Sequence, residues 1–231
     1  MNIGIIGAGN MGGALTRRFR AVGHDVSVVN SRGPASLADL AKETGAHAVS
    51  VGEAVRGKDV VVVTIPLARV EDLPSGLFAN APANLVVVDT GNYYPQQRDG
   101  RIDAIEAGST ESGWVQKRLA HSVVKAFNTI LALHIQDDGK PAGTPDRIAL
   151  PVAGDEPNAK ATVMLLINEI GFDTVDAGTI DESWRQQPGS PGYVRDFDAN
   201  GVRKALSESR RERAPEWRAT PNSPGTYALP A

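Results

Sequence analysis

Residues 3–12 read I-G-I-I-G-A-G-N-M-G: an apolar run that breaks into Gly7, Gly9 and Gly12 and continues into a stretch of helical spacing to residue 22. No other feature restricts the fold as much. A strand that turns at once into a helix needs a residue free to adopt positive φ, and Gly7 is that residue. Gly9 has no side chain to keep a ligand away from the backbone, and Gly12 lets the helix lie close on the strand. The N–H groups at the start of the helix are then left facing an anion such as a dinucleotide pyrophosphate. The segment Gly7, Ala8, Gly9, Asn10, Met11 and Gly12 is therefore the expected cradle. Alone, the glycine spacing is weak evidence. It gains weight because it follows a strand-like run and opens a helix-like one.

The next apolar run ends at Asn30-Ser31-Arg32. An NAD-binding turn places Asp or Glu there for the ribose 2′-hydroxyl. Here no carboxylate repels a 2′-phosphate, and the fork of Arg32 is shaped to grip one. Asn30, Ser31 and Arg32 are thus read as selecting NADP(H). A glycine-rich turn beside a solvated Arg is the alternative that involves no ligand.

Short Val/Ile-rich runs at residues 2–6, 25–30, 59–64, 85–89 and 122–126, with a weaker one at 46–49, alternate with helix-like stretches at 11–22, 36–43 and 111–120. Ser109 or Thr110 is placed to cap the last of these. Runs that are apolar throughout suit parallel strands covered on both faces. The expected fold is α/β: a Rossmann-type, doubly wound, mostly parallel sheet with a small C-terminal α/β extension. We expect an NADP-binding domain over residues 1–126 and a small lobe or sheet extension over 127–187. An extended, Pro-rich tail would follow over 188–231. Within these, 127–134 reads as a helical turn, 148–153 and 172–176 as strands, 157–170 as a helix and 203–213 as a charged helix. The proline-rich stretch from residue 215 would be disordered, or ordered by a partner subunit.

The bulk composition excludes more than it suggests. A net charge of −3 gives no support for nucleic-acid or anionic-membrane partners. With no cysteine there is no disulfide, thiol catalyst or Cys-ligated metal. No His/Asp/Glu cluster has metal spacing. The apolar runs are far too short to span a bilayer. The first strand begins at the second residue, so no cleaved signal peptide and a cytoplasmic location are expected.

In an open parallel sheet, ligands sit outside the carboxyl ends of the strands. Thr64, Ile65 and Pro66 end the fourth run; either they flank the cofactor or Pro66 simply terminates a strand. Gly91 follows the fifth run and allows close approach. The neighbouring Asn92, Tyr93 and Tyr94 either contact a ligand or build a local turn. Lys125 interrupts the sixth run and is either salt-bridged or a substrate contact. Asn128 and Thr129, just beyond it, carry groups able to orient a planar ligand. Tyr93, Tyr94 and His134 are the available proton donors, although a solvated loop histidine explains His134 as well. Trp184 is either a lid over the nicotinamide or, as the favoured reading, an interface residue. Acid–base groups are sparse, which suits a reaction that moves hydride alone.

Four blocks carry a family resemblance: residues 3–12, N-S-R-G-P-A-S-L at 30–37, V-V-K-A-F-N-T-I at 123–130, and P-V-A-G-D-E-P-N-A-K at 151–160 with D-A-G at 176–178. The chain resembles the NADPH:coenzyme F-420 oxidoreductases, and within them the bacterial dinucleotide-binding branch. The similarity runs to about Gln187. The cytosolic domain of the six-transmembrane metalloreductases is similar too. The resemblance implies a homodimer with NADP(H) on the glycine turn and its 2′-phosphate on Ser31 and Arg32. It also implies a deazaflavin or flavin as second substrate, stacked near the segments after Thr64 and Phe127. Where the deazaflavin enzymes tend to have His-Thr, this chain has Asn128-Thr129. Three functions follow: hydride transfer between NADPH and a flavin-like or deazaflavin acceptor, NADPH-dependent reduction of a small imine or ketone, and non-catalytic NADP(H) sensing.

Overall fold

The computed structural model describes residues 1–220 of the 231 in the chain. Six strands form one parallel sheet: β1 (Asn2–Ile6), β2 (Asp25–Val29), β3 (His47–Ala48), β4 (Val60–Val63), β5 (Val86–Asp89) and β6 (Val123–Lys125). Their spatial order is β3-β2-β1-β4-β5-β6, so the chain leaves β1 in one direction and returns to its other side at β4. The α/β fold class expected from the alternating pattern is the one observed. The point where the order reverses lies at the carboxyl ends of β1 and β4, where such sheets bind ligands.

Alternation along the strands sorts the core into two layers. Ile3, Ile5, Val26, Val28, Val60, Val62, Val86 and Val88 face one side. There they meet Leu15 and Phe19 of α1 (Asn10–Ala21) and Val163, Leu166 and Ile167 of α6 (Pro157–Glu169). Ile6, Val29, Val61, Val63, Val87 and Val123 face the other side. Their partners include Ile105 of α3 (Asp103–Glu106) and Trp114 and Val115 of α4 (Glu111–Leu119). Thr110 caps α4, its hydroxyl accepting from Gly113 N at 3.0 Å. Gly4 is required on β1 because a Cβ there would lie 1.8 Å from the Ala54 carbonyl oxygen.

Between β2 and β3 the chain forms α2 (Ala38–Thr44), preceded by a 3-10 turn at Pro34–Leu37. After β6, Phe127 adopts φ 63° and the chain turns. The helical turn expected at 127–134 instead starts five residues later, as α5 (Ala132–Asp137). β7 (Ala149–Val152), α6 and β8 (Asp173–Asp176) form a parallel two-stranded unit. It joins the main sheet through paired bonds between Lys125 and Ala153, and α6 shares the main core.

Two expectations for the C-terminal stretch need correction. Residues 188–231 are not extended throughout, because α7 spans Ala199–Glu208. The helix starts four residues before the expected 203 because Asp198 accepts from Gly201 N at 2.7 Å and caps it. Val202 and Leu206 then bury against β7 and β8. Residues 209–220 pack on this same chain, as described below. The rest of the expected tail lies outside the described residues.

Gly4→Ala should cost about 2–3 kcal/mol, because neither a strand nor a backbone carbonyl can yield. Thermal denaturation should show a fall in Tm of roughly 4–12 °C. An unchanged Tm would show that the layer around Ala54 is looser than this packing implies.

Candidate functional site

The turn after β1 is built as its residue types require. Gly7 has φ 110°, and a Cβ there would lie 2.7 Å from both Thr64 oxygens. Thr64 donates its hydroxyl to the Gly7 carbonyl at 2.7 Å, which ties the turn to the end of β4. On Gly12 a Cβ would fall 1.9 Å from that same carbonyl, so only glycine allows α1 to start this close to the strand. Above Gly9 nothing lies within 4 Å of a Cβ position. The first turn of α1 carries no acidic residue and no side-chain cap. Its first N–H groups are therefore free to bind an anion. An open cradle with exposed donors and no acidic residue in the first helical turn fits a pyrophosphate. Of the carboxylates nearby, Asp39 and Glu43 line the adjoining cavity, and Glu43 is paired with Arg17 at 2.6 Å.

Two cavities lie on either side of this cradle, of about 700 Å³ and about 590 Å³. Both are lined by Gly9, Asn10, Leu131 and Ala132, so they form one trough across the helix start. Ala8 and Arg32 line the first cavity, with Arg17 and Ser36. Met11, Thr64, Ile65, Pro66, Gly91 and Asn128 line the second. Gly7 and Gly12 are buried beneath.

Arg32 is exposed, and among the described residues it has no ion-pair partner. Its neighbour Asn30 braces the turn rather than offering a free amide. Asn30 Oδ1 accepts from Arg32 N at 2.9 Å, and its Nδ2 donates to Ser36 Oγ at 2.9 Å. Ser31 is exposed beside the trough but not among the residues that line it.

The proton-donor candidates separate. Tyr93 is fully buried and faces away from the trough; its hydroxyl accepts from Ile102 N at 2.9 Å. Burial pushes its phenol up to about 12. Adjacent residues in an extended segment point to opposite sides. Tyr94 therefore faces the second cavity, where its hydroxyl bonds that of Tyr193. Burial raises the Tyr94 phenol as well. His134 lies on α5 outside both cavities and pairs with Asp196 at 2.7 Å.

Asn128 forms the floor of the second cavity, but its amide is occupied. It donates to the Gln186 carbonyl at 2.6 Å and to Asn92 Oδ1 at 3.1 Å, and accepts from Gln186 Nε2 at 2.9 Å. Thr129 points the other way, into a separate small cavity against β7 and α7. Trp184 does not line the trough.

Lys125 is fully buried and structural. Its ammonium reaches Asp89 Oδ2 at 3.2 Å and donates to the Gly91 carbonyl. Asp89 also accepts from Gly91 N at 2.8 Å and from Ser112 Oγ at 2.7 Å. The carboxylate and the ammonium together hold the Gly91 loop at the trough. Glu111, also fully buried, lies 3.2 Å from Arg213 Nη1. Burial raises its carboxyl, and the cations Arg213 and Lys125 oppose that rise. Among the described residues no group of three or more His, Asp or Glu is placed to hold a metal. No helix among them is long and apolar enough to cross a membrane.

Sequence reasoning missed Arg17, Gln97, Arg98, Tyr193, Val194 and Trp217, which all line the trough. Tyr193 and Trp217 did leave a signal, because large aromatic residues are unusual in a segment that stays disordered.

Residues 2–93 match the family described as "NADP oxidoreductase coenzyme F420-dependent". A hypothetical protein from Sinorhizobium meliloti is 32% identical in its crystal structure, covering 84% of this chain and 92% of that one, with a TM-score of 0.70. A candidate F420-dependent NADP reductase from Arthrobacter sp. FB24 superposes with a TM-score of 0.60 over 78% of this chain and 86% of that one. At 24% identity it speaks for the fold. The Escherichia coli protein YjhV is 44% identical over 71 residues, which are 31% of this chain. The match spans about half the length of that curated relative, 52%.

The buried carboxyl of Glu111 makes a signed prediction. Between the ordinary value of 4.5 and its raised value, the folded state holds a proton that the unfolded chain has released. That contribution to stability is present at low pH and is lost as pH rises through the raised value. Urea denaturation of the wild type and Glu111→Gln from pH 4 to 8 should show the wild type losing stability relative to the variant as pH rises. The opposite slope would mean that Arg213 and Lys125 outweigh burial.

Proposed function

The chain belongs to the coenzyme F420-dependent NADP oxidoreductase family, and on that premise we propose that it is an NADP(H)-dependent oxidoreductase. In this reading it passes hydride between NADPH and a flavin-like or deazaflavin ring. The observation that carries the proposal is the continuous trough: an anion cradle at its centre, a free arginine at one end and a mostly aromatic and apolar chamber at the other.

The residues divide the work by position. The open N-terminus of α1, from Gly9 to Gly12, holds the pyrophosphate, and Arg32 takes the 2′-phosphate with a charge-assisted fork. Thr64 keeps the turn closed on β4. The Lys125–Asp89 pair keeps the Gly91 loop in place at the chamber wall. Ile65, Pro66 and Val194 line the chamber with apolar surface. Limiting water there protects a reactive hydride donor from side reactions. NADPH, when bound, supplies the hydride. Tyr93 and His134 are placed outside the chamber, so the protein offers few protons to the reacting end. An acceptor ring that takes hydride without simultaneous protonation by a side chain suits that lining.

One observation keeps the imine or ketone reading alive: Tyr94 does reach the chamber, with its hydroxyl bonded to Tyr193. Steady-state assays with NADPH and deazaflavin, flavin, imine or ketone acceptors separate the two. Under the leading reading, Tyr94→Phe leaves ring reduction within about threefold. Under the alternative it removes a general acid that contributes typically 10²–10⁴-fold. Absence of NADPH oxidation with every acceptor, despite tight binding, would favour a sensor.

Cofactor choice is tested at Arg32. A hydrogen bond to a charged group contributes ~1.5–3 kcal/mol, so Arg32→Ala should weaken NADPH binding at least tenfold and NADH binding little. Equal losses for both, measured by calorimetry, would remove Arg32 from 2′-phosphate recognition.

A further inference from the structure

We propose that residues 209–220 form a fixed wall of the acceptor chamber, and that Trp217 on this wall selects a planar conjugated ring. The inference rests on the reading that the second cavity is the reacting end of the NADP(H) trough. It adds a specificity residue that no motif in the chain announces.

The segment is anchored at two points. On one side, the Arg213 guanidinium lies 4.9 Å from the centroid of the Tyr93 ring and 3.2 Å from the buried Glu111 carboxylate. On the other, Ala219 N donates to Glu106 Oε1 at 2.9 Å, and the Thr220 carbonyl accepts from Gln96 Nε2 at 2.9 Å. The short turn Pro215–Trp217 between these anchors sets the indole into the chamber. Releasing this segment would leave the buried Glu111 carboxylate without its nearest cation.

The indole itself is seated on both sides. Its ring centroid is 6.0 Å from that of Tyr94 and 5.9 Å from that of Tyr193. Gly189 makes room for it: a Cβ at that position would lie 2.5 Å from the indole Cδ1. Tyr94 and Tyr193 bond each other through their hydroxyls. Their polar ends are thereby satisfied, and the three rings present mainly aromatic surface to the chamber. Ile65, Pro66 and Val194 add apolar surface. A cavity of about 590 Å³ lined this way is within the usual size for a small-molecule site. Aromatic walls favour a flat conjugated ligand, through offset or edge contacts with its ring. An aliphatic imine or ketone would gain much less from them.

The test uses the full chain saturated with NADP⁺ and titrated with FMN and, separately, with a 5-deazaflavin riboside. Ring binding is followed by fluorescence quenching and by the long-wavelength absorbance of a stacked indole–ring pair. Trp217→Ala should weaken both rings at least tenfold while the Kd for NADP⁺ stays within twofold. Trp217→Phe should recover most of the affinity but not the indole-dependent absorbance. Arg213→Met, which releases one anchor, should weaken the rings without weakening NADP⁺. Unchanged ring affinity in Trp217→Ala overturns the proposal, as does a wild type that binds NADP⁺ but neither ring. A wild type that fails to bind NADP⁺ overturns the cofactor reading, and this assignment with it.

Discussion

The approach of α1 to β1 through Gly12 and the Gly7 carbonyl is the contact on which the rest of the molecule depends. A single added methyl group would fall within 2 Å of that oxygen. The helix therefore begins where the strand ends, and its free N–H groups open at the point where the sheet reverses its strand order. Thr64 closes the arrangement from β4, donating to the same carbonyl. Turn, helix dipole and crossover are consequences of one close packing. The two cavities meet at Gly9 and Asn10 for the same reason.

Around this centre the protein places its costly groups with care. Lys125 and Glu111 are both fully buried, and each faces a partner of opposite charge. Losing one member of such a pair strands the other without solvent, which is costly even where the intact pair adds little stability. One pair holds the Gly91 loop. The other holds the segment that carries Trp217. Charge at both places is used to fix a wall of the same chamber, on top of a core that is otherwise Val, Ile and Leu.

Much of the fold could be read from local pattern. The five stronger apolar runs all became parallel strands, with ends moved by a residue or so, and the glycine turn lies where its spacing placed it. Errors arose where a local signal was ambiguous. At 127–131, apolar residues that suggested a helix are taken up by the turn at Phe127. Near residue 199, Asn200 and Gly201 disguised a helix that Asp198 caps and that β7 and β8 stabilise by burial. At the site, the position of Arg32 on the trough was legible because it follows β2 directly. The acceptor end was less so. Tyr93 and Tyr94 are adjacent in sequence, yet one braces Ile102 and the other faces the chamber.

Short-range chemistry in the sequence settled the parallel sheet, the glycine turn between β1 and α1, and the absence of a carboxylate at the Arg32 turn. These follow from glycine's conformational freedom, the two-residue period of strands and the charge of neighbouring side chains. Only the tertiary structure decided which of the flagged polar groups are structural. Lys125 and Asn128 are consumed by partners distant in the chain, and Tyr93 by the Ile102 amide nine residues on. It also decided that a proline-rich segment some 200 residues from the glycine turn supplies an aromatic wall. That assignment depends on long-range contacts between Arg213 and Glu111 and between Trp217 and Gly189. No local pattern encodes such contacts, because they join groups far apart in the chain: aromatic surface gains by leaving water, while a charge that leaves water needs its partner already in place.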